Sequence, residues 1–170
     1  MEGIRKIIGI GGFIIILFIM YRTDHGIPGI QKYDPTFRLL DMRFHYSSET
    51  VWQTFDQIQE GGRIAYQKYL LLDFMFILCF FQTMIAISDA VPSSVHIRTF
   101  FYLLCALRAL FDISENTLLL YMLRQYPIFN GVTATVCAWF TTVKFAMLSI
   151  WLLSVTASFL LHSLHIFPAE

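Results

Sequence analysis

Charge is scarce in this chain. Asp, Glu, Lys and Arg make up 14% of its 170 residues, against about 25% in an ordinary soluble domain. Acidic and basic residues are equal in number, 12 of each. The basic ones are dispersed, so no Lys/Arg block suggests a nucleic-acid partner. Cysteine is scarce too. Cys79, Cys105 and Cys137 each fall inside an apolar run and no pair has CxxC spacing. They read as small buried hydrophobes, not as zinc or redox ligands. There is no GxSxG, no HExxH, no P-loop and no GxGxxG opening a helix after a strand. Histidines stand at 25, 45, 96, 162 and 165. None lies in mid-span opposite another, which gives no support to a haem held by two histidines, and the histidine boxes of a di-iron desaturase are missing. His162 and His165, three apart, read as a solvated interfacial pair. No metal and no cofactor are expected.

What the chain has in abundance is apolar surface. It is 56% hydrophobic, with 17 Phe, 8 Tyr and 3 Trp. A globule of this size could not bury so much, which places the chain in lipid. Four apolar runs, at about residues 4–21, 69–90, 99–123 and 132–161, predict an all-α bundle of four antiparallel transmembrane helices, a single membrane domain over 1–170. The first run, about 18 residues, is near the lower limit for crossing a ~30 Å hydrocarbon core. Arg5 and Lys6 precede it as in a signal peptide, but the following YRTDHG lacks a small-x-small cleavage site, so an uncleaved span is expected. Gly9, Gly11 and Gly12 flatten one side of that helix for a close neighbour. Asp89 and Pro92 end the second run, and QYP with Asn130-Gly131 ends the third. The fourth is longer than a perpendicular span needs, which predicts tilt or projection beyond the bilayer. Short second and third connections make the last three helices antiparallel neighbours and put both termini on one side. Lys and Arg are more numerous on the side of the first and third loops, which the positive-inside rule assigns to the cytoplasm or its equivalent.

The loop at about 22–68 is the only sizeable soluble part. Its first half is rich in turn formers. Its second half, SSETVWQTFDQIQEGG, opens with a serine suited to N-capping. Val51, Trp52, Phe55 and Ile58 then recur at helical spacing, with Glu49, Gln53, Asp56, Gln57 and Glu60 between them. This predicts a short amphipathic helix, ended by Gly61-Gly62, lying on the bilayer surface or packed over the bundle mouth.

The densest polar signal lies inside the third span, in RALFDISEN. Arg108 and Asp112 are four apart, as are Asp112 and Asn116. Asp112 and Glu115 are three apart, so all four side chains share one helical face. A charge at mid-bilayer costs at least ~2.5–3.5 kcal/mol, which makes such a stripe prohibitive facing lipid and turns it inward. Arg108 can pair with Asp112. Other spans offer partners: Asp73 and Gln82 in the second, Thr142 and Lys144 in the fourth. Lys144 is expected to meet Glu115 or Asp112. Asp73 lies near the loop end of its helix, within reach of Arg63, Tyr66 and Lys68. Such a network either glues the helices together or handles a proton, a headgroup or a polar substrate edge.

Several stretches resemble a family of small bacterial four-span membrane proteins of unknown function. They are LLDMRFHYSSETVWQTFDQIQEGGRIAYQKYLLLD, FDISENTLLL and the lysine of FTTVKFAML. In that family an LDxRxxYS segment follows the first span, and a GRxxY element leads into a second span carrying an aspartate. DxxEN sits in the third span and a lysine in the fourth. The resemblance covers roughly three quarters of the chain. It points to Asp41, Arg43, Tyr46, Gly62, Arg63, Tyr66, Asp73, Asp112, Glu115, Asn116 and Lys144. After Asp73 the family often has a proline-aromatic pair, where this chain reads FMFILCFF. The resemblance implies a bacterial inner membrane, with an organelle of bacterial descent such as the mitochondrion, and its inner membrane, equally compatible. It implies no activity.

Two functions follow as expectations. The first is a non-catalytic accessory subunit of a larger, possibly respiratory, membrane complex. It would contact lipids and other subunits through Phe80, Phe81, Phe100, Phe101, Trp139 and Trp151. The alternative is a small membrane enzyme or transporter acting on a lipid, sterol or isoprenoid, with Asp112 and Glu115 as acid and base and Lys144 and Arg108 stabilising charge.

Overall fold

The computed structural model describes residues 2–164, with side chains from Ile7 onward. The side chains of Arg5 and Lys6, and all of His165, lie outside the described residues. Every element among these residues is a helix: α1 (Glu2–Arg22), α2 (Ile27–Gln31), α3 (Ser48–Gln57), α4 (Gln59–Ala90), α5 (Val95–Gln125) and α6 (Gly131–Ser163). At 1.5 Å per residue, α4, α5 and α6 are each about 45–50 Å long and α1 about 30 Å. Three helices, at the positions of α1, α4 and α6, are long and apolar enough to cross a membrane. α5 is as long as its neighbours, but Arg108, Asp112 and Glu115 in its middle keep it short of that composition.

The helices are joined in chain order. α1 packs on α4, α4 on α5, and α5 on α6, while the short α3 rests on both α4 and α6. Gly9 and Gly12 allow the first of these contacts: a methyl group built on them would stand 2.7 Å from Gln82 Cβ and 2.8 Å from Cys79 Sγ. Phe13 then joins a cluster with Phe76 and Phe80, tilted on the first at 5.4 Å and stacked on the second at 5.2 Å between ring centres.

Two boundaries differ from the expectation. α4 begins ten residues before the apolar run at Tyr69, and Gly61-Gly62 lies inside its first turns instead of ending α3. The break is at Gln59, whose φ of 56° is in the left-handed region. The two glycines serve close packing: a Cβ on Gly62 would lie 2.6 Å from Ile58 Cβ, and one on Gly61 would overlap the Tyr33 ring. The second difference is α2, a single helical turn started by Pro28 within a segment expected to be irregular.

α3 begins as its sequence requires, with the Ser47 hydroxyl accepting the Thr50 N–H at 3.2 Å. Val51, Thr54 and Phe55 are buried, and Glu49, Gln53, Asp56 and Gln57 are exposed. Trp52 stacks on Phe129 at 4.3 Å, and Phe55 meets Tyr66, Tyr126 and Phe129 edge-on. α3 is therefore a cover over one end of the helices. Because Phe129 follows α5, this contact also places the end of α5 at the same end of the molecule as α3.

Two apolar layers form the core. One, at the α3 end, gathers Phe37, Leu40, Tyr46, Phe55, Tyr66, Leu119 and Ala138. The other gathers Met84, Phe101, Cys105 and Trp151. On α5 and α6 the polar residues 108–116 and 141–144 fall between these layers. Of the aromatic side chains expected on the outer surface, Phe100 and Trp139 are exposed and Phe80 and Phe81 are half-buried. Phe101 and Trp151 are core residues. Trp151 is drawn inward because its indole N–H donates to Ser88 Oγ at 3.0 Å.

Candidate functional site

α5 presents Arg108, Asp112, Glu115 and Asn116 to the interior, while Leu110, Ile113, Thr117 and Tyr121 face outward. Each of the four polar residues is at most 6% exposed. Arg108 Nη2 is ion-paired with Asp112 Oδ2, and its guanidinium carbon lies 4.4 Å over the Phe80 ring. Lys144, about 20 Å into α6 from Gly131, joins α6 to two acids of α5. Its Nζ is 2.8 Å from Asp112 Oδ1 and 2.6 Å from Glu115 Oε2. Thr141, one turn before Lys144, donates its hydroxyl to Glu115 Oε1 at 2.5 Å. Cys137, one turn earlier still, lies 3.5 Å from the Glu115 carbonyl.

α4 contributes Asp73, whose Oδ2 accepts the Asn116 side-chain N–H at 2.5 Å. Asp73 thus meets α5, as one of the partners expected there, and the reach of Arg63 and Lys68 toward it is not realised. Arg63 instead donates to the Phe55 carbonyl at 2.9 Å and covers the Tyr126 ring at 4.3 Å, and Lys68 is exposed. Gln82 and Thr142 are also outside the network. Gln82 packs against Gly9, and Thr142 donates to the Phe44 carbonyl at 2.9 Å.

The loop supplies the remaining wall. Residues 37–46 form a strap between α4 and α6. At its α4 end, Phe37 sits edge-on to Tyr66 at 5.3 Å, and the Leu40 N–H donates to the Tyr66 hydroxyl at 3.3 Å. At its α6 end, Phe44 stacks on Phe145, His45 meets Trp139, and the Tyr46 hydroxyl donates to Cys137 Sγ at 3.1 Å. Tyr46 also lies 3.4 Å from Thr141 Oγ1.

Asp41 is in the middle of this strap, and it is 3% exposed. Its Oδ1 has no hydrogen-bond partner among the described residues. Burial pushes its carboxyl from the ordinary 3.8 up to about 7. Lys144 opposes that rise, and Glu115 and Asp112 add to it. The strap therefore lowers a fourth carboxyl onto the charged layer. Of the other residues singled out by the resemblance, Tyr46 and Tyr66 hold the strap. Arg43 is half-exposed, with one guanidinium nitrogen 3.5 Å from the Arg38 carbonyl.

Thr141 and Cys137 are site residues that a reading of charges alone misses. Their signal is positional: 137, 141 and 144 share one face of α6. Among the described residues, no three His, Cys, Asp or Glu side chains come together so as to hold a metal ion. Compared with protein-family models, with curated proteins and with solved structures, the chain matches none.

Proposed function

We propose that this chain is a four-span integral membrane protein whose buried centre takes up and gives up protons, in the service of transport or acid–base chemistry on a lipid-like substrate. The membrane is a bacterial inner membrane or the mitochondrial inner membrane, in keeping with the resemblance to small bacterial four-span proteins. α5 supports the fourth span. It lies between α4 and α6, and its end meets α3 through Phe129. It must then occupy the same slab as the two apolar helices beside it.

One observation carries the functional reading: the buried charges do not balance. Asp41, Asp73, Asp112 and Glu115 stand against only Arg108 and Lys144 among the buried residues. A network selected to hold helices together neutralises itself, since each uncompensated buried charge costs several kcal/mol. An excess of two carboxyls is kept low in energy by protons, and protons that sit there can also leave. Ionisable groups inside a membrane protein are a site of function in the same sense.

The test is infrared spectroscopy of the protein in lipid nanodiscs. A protonated-carboxyl band present in mildly acidic buffer and lost in alkaline buffer is expected. Asp41→Asn removes part of it. A spectrum without such a band at either pH refutes the reading.

A second reading, the accessory subunit, draws on the exposed aromatics Phe18, Phe100, Trp139 and Phe159. It requires co-migration with a larger complex in mild detergent, lost on substituting Phe100 and Trp139 together.

A further inference from the structure

The six buried charges divide into two groups. Arg108 and Lys144 are both spent on Asp112 and Glu115. Asp41 and Asp73 have no ion pair with a basic side chain among the described residues. Asp73 lies within electrostatic reach of Asp41, as do the hydroxyls of Tyr66 and Tyr69 on α4. Beside this pair, Asn116 is wholly buried. Its amide N–H is bound to Asp73, and its Oδ1 has no hydrogen-bond partner among the described residues. Asp41 Oδ1 is in the same position. Of the three buried side-chain oxygens without a hydrogen-bond partner among the described residues, Glu115 Oε2 is ion-paired with Lys144, and the two with neither kind of partner, Asp41 Oδ1 and Asn116 Oδ1, belong to the uncompensated half. Buried acceptors of this kind are rare because each forfeits its hydration.

We propose that Asp41, Asp73 and the amide oxygen of Asn116 form a binding site for a monovalent alkali cation, taken up in exchange for a proton. This rests on the reading of the centre as proton-handling and adds the ion that competes for it. Oxygen donors suit hard cations. A divalent ion fits less well, because calcium takes six to eight oxygens and magnesium keeps several waters, whereas two carboxyls and one amide supply few donors. In the exchange a neutral carboxyl of the pair loses its proton to solvent, and the cation takes the proton's place beside the carboxylate, so charge in the pair is unchanged. The groups facing Asp41 set the competition. Lys144 on α6 disfavours a second cation, Asp112 and Glu115 on α5 favour one, and Tyr66 and Tyr69 on α4 and Cys137 on α6 are the other neighbours of Asp41.

The experiment uses the full chain in phosphatidylcholine nanodiscs and sodium-free choline buffer. Unfolding is followed with a thiol-reactive fluorophore that reports exposure of the buried Cys105 and Cys137. Sodium chloride is expected to raise the unfolding temperature, saturably, above the effect of equal choline chloride. The rise shrinks in acidic buffer and is accompanied by proton release to a pH-sensitive dye. Asp73→Asn and Asp41→Asn abolish it, and Asp56→Asn, an exposed acid on α3, retains it. Equal responses to sodium and choline overturn the proposal, as do a response to magnesium or calcium alone and a sodium effect that survives in both variants. The comparison of salts on the unmodified chain stands even where a variant fails to fold. If alkali ions have no effect while the carboxyl band still titrates, the cation site is wrong and the proton-handling reading survives. If neither responds, both fall.

Discussion

Replacing Asp41 by Asn should change the pH dependence of stability in a direction that the structure fixes. Unfolded, this carboxyl ionises near the ordinary 3.8, and folded it holds its proton to about 7. Between those values the folded chain binds more protons than the unfolded one, so stability falls as pH rises. Below about 4 the side chain is neutral in both states and contributes nothing to the slope. Above about 7 it is charged in both and the loss is complete. Each pH unit of difference is worth about 1.4 kcal/mol, so the full loss is about 4 kcal/mol at most. Asn carries no ionisable proton and keeps the shape. The variant should match the parent in acid and exceed it by up to about 4 kcal/mol at alkaline pH. The assay is thermal unfolding in detergent micelles across this pH range, read by thiol exposure. The other buried acids contribute slopes of their own, so the diagnostic quantity is the difference between the two proteins at each pH. A parent and variant with parallel pH profiles would refute the burial argument for Asp41. So would a variant that is less stable than the parent on the alkaline side.

Three further outcomes are expected. Lys144→Met leaves Asp112 and Glu115 without the cation they share, and should destabilise by about 3–5 kcal/mol, measured as a lowered unfolding temperature. Gly12→Leu drives a side chain into Cys79, which is 2.8 Å from where even a Cβ would stand. Separation of α1 from α4 should follow, read as faster labelling of Cys79 by a thiol reagent. Labelling with an impermeant maleimide, in a background without the native cysteines, should find Glu49→Cys and Ile128→Cys on one side of the membrane and Ser94→Cys on the other. Ser94 and Ile128 labelled from the same side would mean that α5 does not cross.

The helical class and the inward polar stripe were legible because each rests on local periodicity. Arg108, Asp112, Glu115 and Asn116 share a face by spacing alone, and the cost of charge in lipid decides which way that face turns. Lys144 was legible by elimination, as the one Lys or Arg in its apolar run. Asp73 was legible as a partner that the second span offers to the third, but nearness along the chain also drew Arg63 and Lys68 toward it, whereas its hydrogen bond is to Asn116. The start of α4 was hidden by Gly61-Gly62, a pair that ends helices as readily as it admits a close neighbour. The strap was beyond periodicity altogether. Residues 37–46 have no regular structure, and their path depends on Tyr66, Thr142 and Cys137, which lie far away in sequence. Asp41 therefore stood out only through the resemblance, with nothing local to say that it would be buried.

That path bears on how the centre works. A carboxyl delivered by a strap differs from one fixed on a helix. The helical acids Asp73, Asp112 and Glu115 are held by hydrogen-bonded helices, whereas Asp41 is held by an irregular segment whose Phe37, Leu39, Leu40 and Tyr46 are buried in the core. The Leu40–Tyr66 and Tyr46–Cys137 hydrogen bonds, 3.3 and 3.1 Å long, also hold that segment, and a bond of this kind contributes about 1 kcal/mol. Charging Asp41 in place costs about 4 kcal/mol on the same scale used above. That exceeds what the two bonds together supply. Burial of Phe37 and Leu40 in the core adds about 1.5–3 kcal/mol each, however, so the strap stays closed over a charged Asp41. The folded chain then bears the charge, and the loss is expected as lowered stability at alkaline pH and not as an opened strap.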